Sequence, residues 1–312
     1  MTSIPTPTVT AGPLPASAKI FKPGMAAMTE KYRQGGDLYR PVNEEARAMA
    51  APSILFTRMR ETSPLVQCIT NYVAMNVAAN VLLAAGASPA MVHAEEEAGE
   101  FAAIAGALTV NIGTLSPTWV AGMKTAIAGA RAAGKPWVLD PVAHFATTFR
   151  SQTVAALLDL RPAIIRGNAS EIIALGGGQS AGQGVDSGDP VSDAEDAARQ
   201  LAFSTGAVVA VTGAVDFVTD GERSVRISGG SSLMPKVTAL GCSLTALVGA
   251  FVAVAPKQPF EATMAALATF AAAGEIAERG AQGPGSFAIR FLDSLHGFRS
   301  ESLEADGRIV AV

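Results

Sequence analysis

The chain has 312 residues, 49% of them hydrophobic and 16% charged, which is enough apolar material for a large buried core. Its net charge of −4, from 23 basic and 27 acidic residues, leaves no positive surplus for a nucleic acid, so we expect a small-molecule partner. The two cysteines, Cys68 and Cys242, belong to no C-x-x-C pair, which argues against a disulfide framework or zinc cluster and favours a reducing cytoplasm.

The first segment of the chain is rich in proline and polar residues. No sustained apolar period accompanies Pro5, Pro7, Pro13, Pro15, Pro23 and Pro41. We therefore predict a disordered extension at 1–50, either an idle tail or a docking segment, then a single domain at 51–300 and a C-terminal tail at 301–312. The N-terminus lacks a signal-peptide pattern and the longest apolar runs, such as 243–255, are too short to span a bilayer, so no membrane association is expected.

From residue 63 onward, short apolar runs alternate with longer stretches of helical period. The predicted strands are continuous apolar runs, as strands covered on both faces require, at 90–92, 108–112, 137–142, 163–166 and 208–212. Between them lie predicted helices at 71–85, 94–107, 117–133 and 193–204. This alternation predicts an α/β fold with a largely parallel central sheet between two helical layers.

After the last parallel strand the pattern changes to that of an antiparallel hairpin. Residues 217–219 and 224–227 flank an Asp220-Gly221 turn signal. Two largely apolar helices, predicted at 242–255 and 261–278, then complete the core.

Polar residues end the predicted parallel strands or come directly after them, at the edge where ligands of open α/β sheets bind. They are Gly113-Thr114, Asp140-Pro141, Arg166-Gly167-Asn168 and Thr212-Gly213. Because the carboxyl ends of parallel strands share one edge, we expect an acid, a base, an amide and a hydroxyl to converge there.

Asp140, with Glu171 on the following helix, is a candidate pair of ligands for Mg²⁺, which prefers few carboxylates and several waters. The alternative is structural: Asp140 ends a turn before Pro141, and Glu171 is an ordinary first-turn helix acid. Arg166 is a candidate phosphate ligand, although an ion pair with Glu171 is equally consistent with the pattern. Thr212 offers a hydroxyl to a phosphate or ribose.

The segment 236–251 contains a turn at Gly241 that leads directly into a predicted helix. We predict an anion hole formed by the backbone N–H groups of Gly241, Cys242 and Ser243, unless the turn is simply a buried helix start. At that position the pKa of the Cys242 thiol is expected to be lowered, which would suit a weak base; a small buried apolar role is the alternative. No Walker string is present.

Six short motifs, in order and at similar spacing, resemble those of hydroxyethylthiazole kinases. The resemblance covers roughly residues 60–298, and its motifs are SPLVQCITN at 63–71, ASPAM at 87–91, NIGTL at 111–115, LDPV at 139–142, RGNASE at 166–171 and GPGSF at 283–287.

The resemblance implies a ribokinase-like three-layer αβα fold and ATP-dependent phosphorylation of 4-methyl-5-(2-hydroxyethyl)thiazole, a thiamine-salvage reaction. It also implies Mg²⁺ and a homotrimer with active sites between subunits. By position, Met91, Asn71 and Ala239 would contact the thiazole, and Arg166, Asn168 and Thr212 would bind ATP. The remaining roles are Asp140 and Glu171 at the metal, Gly241 to Ser243 as the anion hole, and Cys242 as the catalytic residue.

The chain departs from this pattern at two turns. It has Thr238-Ala-Leu-Gly-Cys242 where the family carries a Gly in place of Ala239, and Ala143-His144-Phe145 where a Gly-Ala-Gly-like segment is common. Tyr72 also stands where a second Asn is common. Two alternatives stay open. One is a related enzyme of the same fold, either a kinase acting on hydroxymethylpyrimidine or an ATP-dependent hydrate dehydratase; the other is a catalytically silent nucleotide- or thiazole-binding protein.

Overall fold

The computed structural model describes residues 51–178, 188–301, 303 and 307–312. The predicted extension at 1–50 lies outside these residues. The described chain forms one nine-stranded sheet with helices on both faces. The strands are β1 (Leu65–Ile69), β2 (Ser88–Ala90), β3 (Ala107–Asn111), β4 (Trp137–Asp140), β5 (Ile164–Asn168), β6 (Val208–Thr212), β7 (Val215–Thr219), β8 (Ser224–Ser228) and β9 (Ile309–Ala311).

The spatial order of the strands is β2-β1-β3-β4-β5-β6-β7-β8-β9. All pairs from β2 to β6 are parallel, and β6, β7, β8 and β9 pair antiparallel. The predicted parallel sheet with an appended hairpin is therefore confirmed. Its functional consequence is that β1, β3, β4, β5 and β6 present their carboxyl ends along one edge.

Helices cover the two faces of the sheet. They are α1 (Pro52–Thr62), α2 (Met75–Ala85), α3 (Glu95–Ile104), α4 (Pro117–Ala132), α5 (Thr148–Leu158), α6 (Ala169–Leu175), α7 (Val191–Thr205), α8 (Leu240–Val254), α9 (Pro259–Glu278) and α10 (Pro284–His296). Along β4, Trp137 and Leu139 belong to one buried cluster and Val138 to the other, so alternate side chains pack against different helical layers. Among the described helices, none has the length and apolar character needed to cross a bilayer.

Several elements differ from the sequence prediction. β1 is not among the strands predicted from the sequence. Its central residue Gln67 is fully buried, and its amide donates to the Val92 and Ala98 carbonyls at 2.9 and 3.2 Å. These bonds satisfy the Nε2 of Gln67, whereas its Oε1 is buried without a hydrogen-bond partner among the described residues. In the segment assigned to the C-terminal tail, Ile309–Ala311 forms β9 and pairs with β8.

Candidate active site

A cavity of about 1170 Å³ opens at the carboxyl edge of the parallel strands. It brings together most of the residues proposed from the sequence, which are Asn71, Asp140, Arg166, Asn168, Glu171, Thr212, Ala239, Gly241 and Cys242. Two proposed residues do not line it. Met91 is half-buried and packs against the core, and the fully buried Ser243 donates its hydroxyl to the Leu240 carbonyl at 2.8 Å.

Asp140, the last residue of β4, is a buried carboxylate with one unused oxygen. Its Oδ2 accepts hydrogen bonds from Asn111 Nδ2 at 2.7 Å and Thr245 Oγ1 at 2.8 Å. Its Oδ1 is buried and has no hydrogen-bond partner among the described residues. Burial raises the pKa of Asp140, while Arg166, 3.8 Å away, acts in the opposite direction. An orphaned carboxylate oxygen of this kind is suited to a cation.

Glu171 has a structural task as well. It forms a capping box with Asn168 at the start of α6: its Oε2 accepts from the Asn168 N–H at 2.8 Å, and the Asn168 side chain accepts from the Glu171 N–H at 2.9 Å. Its Oε1 accepts from the Ala143 N–H at 2.9 Å. Burial, and then the nearby Asp140, raise the pKa of Glu171 to about 7.

The two carboxylates fit a cation that is completed by other ligands. The charge of Asp140 disfavours ionisation of Glu171, and a divalent ion nearby would relieve that repulsion. Within the part of the chain that the structure describes, no group of three or more His, Cys, Asp or Glu side chains is placed to hold a metal. Water or phosphate oxygens would therefore complete the coordination, as Mg²⁺ prefers.

Arg166 on β5 extends toward the start of α8. It donates to Thr212 Oγ1 on the neighbouring strand, and its ion partner is Asp140 rather than the Glu171 considered from the sequence. Its Nε is buried and has no hydrogen-bond partner in the part of the chain that the structure describes. A Cβ on Gly241 would lie 3.0 Å from both terminal guanidinium nitrogens, so glycine there makes room for the arginine.

The helix at the predicted anion hole begins earlier than the sequence prediction placed it. Helix α8 starts at Leu240, with Ala239 as its N-cap, and the Ser243 N–H already donates to the Ala239 carbonyl at 2.9 Å. The inclusion of Ser243 is thus wrong, because its amide completes the first helical hydrogen bond. The N–H groups of Leu240, Gly241 and Cys242 are the ones left for an anion.

The thiol of Cys242 is protonated at neutral pH, contrary to the sequence prediction. Burial is the largest cause, the nearby carboxylate of Asp140 adds to it, and together they raise the pKa of Cys242 to about 11. Asn71 Nδ2 lies 3.4 Å from its Sγ and donates to it. The helix start that was expected to favour the thiolate is outweighed by the loss of water and by the adjacent acid.

We predict that Cys242 in the native protein reacts slowly with iodoacetamide at pH 7, and that its rate rises about tenfold per pH unit up to pH 10, because only the thiolate reacts. Mass spectrometry of the modified peptide over this pH range measures the rate. The unfolded chain is the control, and its rate should level off near pH 9. A native rate that levels off below pH 8 would contradict a raised pKa.

The two departures from the family pattern both occur in left-handed backbone. Ala143 has φ of +47° and Ala239 has φ of +63°, a region in which glycine avoids the strain of a Cβ. The chain therefore keeps the turns that glycine would favour. His144, which follows Ala143, is buried, and its Nε2 donates to the Glu171 carbonyl at 3.0 Å.

Replacing Ala239 with glycine should raise the free energy of unfolding by roughly 0.5–1 kcal/mol, because relief of strain exceeds the added entropy of the unfolded chain. Urea denaturation measures the change. The matched control is Ala128→Gly on the exposed face of α4, which should lower stability by about 0.8–1 kcal/mol. Equal losses in both variants would show that position 239 carries no strain.

Sequence reasoning missed Asn111, Thr245 and Asp216. Asn111 joins Asn71 to Asp140: its Oδ1 accepts from Asn71 at 2.9 Å, and its Nδ2 donates to Asp140. Asp216 lines the cavity and accepts from the Gly213 N–H at 2.9 Å, and burial raises its pKa to about 7. Of the three, only Asn111 could have been proposed as a site residue from the sequence, because it lies at the end of a strand. Thr245 lies inside α8 and Asp216 inside β7.

Comparison with known proteins gives one consistent family. The model of the Hydroxyethylthiazole kinase family matches residues 56–301. A protein named hydroxyethylthiazole kinase from Rhizobium leguminosarum bv. trifolii (strain WSM2304) is 70% identical over 265 residues, covering 85% of this chain and 99% of the relative.

Solved structures agree with this match. The hydroxyethylthiazole kinase protein from Pyrococcus horikoshii OT3 is 39% identical, with a TM-score of 0.76 over 84% of this chain and 98% of that chain. A ribokinase-like superfamily protein from Enterococcus faecalis V583 is 12% identical, with a TM-score of 0.55 over 80% of this chain and 89% of that chain. The second likeness concerns the fold alone and agrees with the predicted ribokinase-like architecture.

Proposed function

Because the chain belongs to the hydroxyethylthiazole kinase family, we propose that it transfers the γ-phosphoryl group of ATP to the primary hydroxyl of 4-methyl-5-(2-hydroxyethyl)thiazole, giving the thiazole phosphate for thiamine salvage. One observation carries the mechanism: a buried carboxylate with a free oxygen, a guanidinium and an uncapped helix start all face one cavity. This combination suits phosphoryl transfer, which depends on positioning and charge stabilisation.

On the nucleotide side, Arg166 and the N–H groups at the start of α8 hold the transferred phosphoryl group. Arg166 offers charge-assisted hydrogen bonds, and the helix start offers unpaired donors at the positive end of its dipole. Thr212 is kept in place by Arg166 and contributes a hydroxyl. Asn168 lines the same wall and caps α6.

Asp140 and Glu171 are the residues that would hold Mg²⁺, with Asp140 Oδ1 as the available ligand atom. When bound, the ion neutralises charge on the phosphate oxygens. Glu171 keeps its capping-box hydrogen bonds and acts mainly through its charge.

On the alcohol side, Asn71 and Ala239 line the cavity. Cys242 lines the same cavity, and its Sγ accepts a hydrogen bond from Asn71 Nδ2. Since its thiol is protonated, it orients the attacking hydroxyl by hydrogen bonding more readily than it removes a proton. A loose transition state makes weak base catalysis sufficient.

We also propose a cytoplasmic homotrimer in which a neighbouring subunit supplies Met91 to the thiazole. Met91 does not line the cavity of its own chain, whereas Val73, which does, is 62% exposed beside Tyr72 at 66%. Exposed apolar residues at a cavity mouth are typical of an interface. Sedimentation analysis of the full chain tests the trimer, and a monomer with full activity would contradict a shared site.

The decisive experiment is a kinase assay over a panel of alcohols, with product identification. ADP formation should require both Mg²⁺ and the thiazole alcohol. Turnover with hydroxymethylpyrimidine but none with the thiazole would favour the related kinase. Thermal stabilisation by Mg-ATP and by the thiazole without product would favour a silent binding protein.

A further inference from the structure

The loop that follows β8 forms one wall of the cavity. Gly229, Gly230, Ser231 and Ser232 all line it. In the order of the sheet, Asn71 follows β1, Arg166 lies on β5 and Thr212 lies on β6, while this loop follows β8. The loop is therefore on the Thr212 side of Arg166, and Asn71 is on the other side. Given the proposed function, the loop therefore borders the ATP half of the cavity.

Helix α9 supports this loop from one side. The Gly230 N–H donates to the Ala271 carbonyl at 3.0 Å, and Ser232 Oγ donates to Glu278 Oε1 at 3.3 Å. Ala271, Glu275 and Glu278 follow one another at four- and three-residue spacing, so they share a face of the helix. The middle position of that face, Glu275, contacts a residue from the C-terminus.

That residue is Arg308, which lies beyond the segment that the family model matches. Its side chain is 5% exposed, and its Nη2 and Nη1 lie 3.1 and 3.4 Å from the carboxylate oxygens of Glu275. Nη1 also donates to the Ser228 carbonyl at 3.2 Å, and the Ser228 N–H donates to the Arg308 carbonyl at 3.0 Å. A buried guanidinium needs partners of this kind to offset the cost of its desolvation, so loss of these contacts would displace the side chain.

The Arg308–Glu275 ion pair packs directly against the loop backbone at Gly229. Gly229 has φ of +125°, and a Cβ added there would lie 2.5 Å from Arg308 Nη1 and 2.6 Å from Glu275 Oε1. The loop and the ion pair are therefore in contact with no space for a side chain between them. Displacement of Arg308 would free the cavity-lining backbone at Gly229.

We propose that Arg308 is a positioning residue for the nucleotide: its ion pair with Glu275 holds the loop at 229–232 in the conformation that accepts ATP. The C-terminal strand β9, which begins one residue later, is thereby a functional part of the ATP site. This inference rests on the proposed function for one point, which is that the ligand held by the loop is ATP.

The test is steady-state kinetics of the full-length Arg308→Ala variant. If the loop adopts the accepting conformation only a tenth to a fifth of the time, the KM for Mg-ATP rises about five- to tenfold while the KM for the thiazole stays unchanged. Glu275→Gln and Gly229→Ala should show the same selective change, and Arg308→Lys should recover part of the loss. Arg226→Ala is the matched control, because Arg226 on β8 pairs with Glu195 and does not line the cavity.

A lowered melting temperature with both KM values unchanged in the Arg308, Glu275 and Gly229 variants would overturn the proposal, since it would leave Arg308 a purely structural role. If Arg308→Ala does not fold, Gly229→Ala and Arg308→Lys decide in the same way. If the wild-type protein phosphorylates no alcohol, the proposed function fails. Stabilisation by Mg-ATP, compared between wild type and the variants, then still tests the positioning role.

Discussion

Replacing Arg166 with alanine should weaken ATP binding by about 10- to 100-fold, because a charge-assisted hydrogen bond from a partly desolvated guanidinium contributes about 1.5–3 kcal/mol. The structure places this side chain between Asp140, Thr212 and the start of α8. Its Nε has no hydrogen-bond partner within the described ranges, and Gly241 leaves space for its terminal nitrogens. The arginine is thus oriented before the nucleotide arrives.

The measurement is the dissociation constant of ADP or ATP by calorimetry, together with the KM for Mg-ATP. Arg199→Ala is the control, since Arg199 pairs with Asp196 and Glu195 and does not line the cavity. Arg166→Ala also leaves the buried Asp140 without its ion partner, so a loss of stability is expected as well. Arg166→Lys keeps the charge and separates the two effects, because it restores more stability than nucleotide affinity. Unchanged affinity in a folded Arg166→Ala variant would remove this residue from the site.

Replacing Asp140 with asparagine should lower kcat by about 100-fold or more, because an amide oxygen is a poor substitute for a carboxylate ligand of Mg²⁺. Asparagine has nearly the same shape and still offers one oxygen to Asn111 and Thr245. Folding should therefore be largely preserved, since removal of a buried negative charge offsets part of the lost pairing with Arg166.

A titration of Mg²⁺ at fixed ATP measures this effect. The half-saturating concentration should rise in Asp140→Asn but not in Asp196→Asn, a control whose side chain is 92% exposed. Glu171→Gln is expected to have a smaller effect, because its oxygens already accept from two backbone N–H groups. An Asp140→Asn variant with wild-type Mg²⁺ dependence would exclude the proposed metal site.

The convergence of site residues could be predicted because it depends on strand direction. Asp140, Arg166 and Thr212 each end an apolar run, and parallel strands place such ends along one edge. The cavity contains all three. Roles within the cavity were harder to predict, since they depend on partners distant in sequence: Thr245, 105 residues from Asp140, shares a hydrogen bond with it.

The local conformation of two turns was also beyond pattern reasoning. Alanine at positions 143 and 239 departs from the family pattern, and glycine is the usual residue of left-handed turns. The structure retains the left-handed backbone at both positions, held by the surrounding fold. The Ala239 conformation sets the start of α8, and with it which N–H groups remain free for a phosphate.

The amino-acid sequence by itself determined the layered α/β fold, the family and the edge of the sheet at which the site lies. The fold and the edge follow from apolar periodicity and from the alternation of strands and helices along the chain, and the family from the resemblance of six short motifs; all of these are local features. Only the tertiary structure decided the protonation of Cys242, the choice of Asp140 as ion partner of Arg166, and the link from Arg308 to the cavity wall. The reason is physical: desolvation and pairing depend on distances between chain segments that no local pattern records.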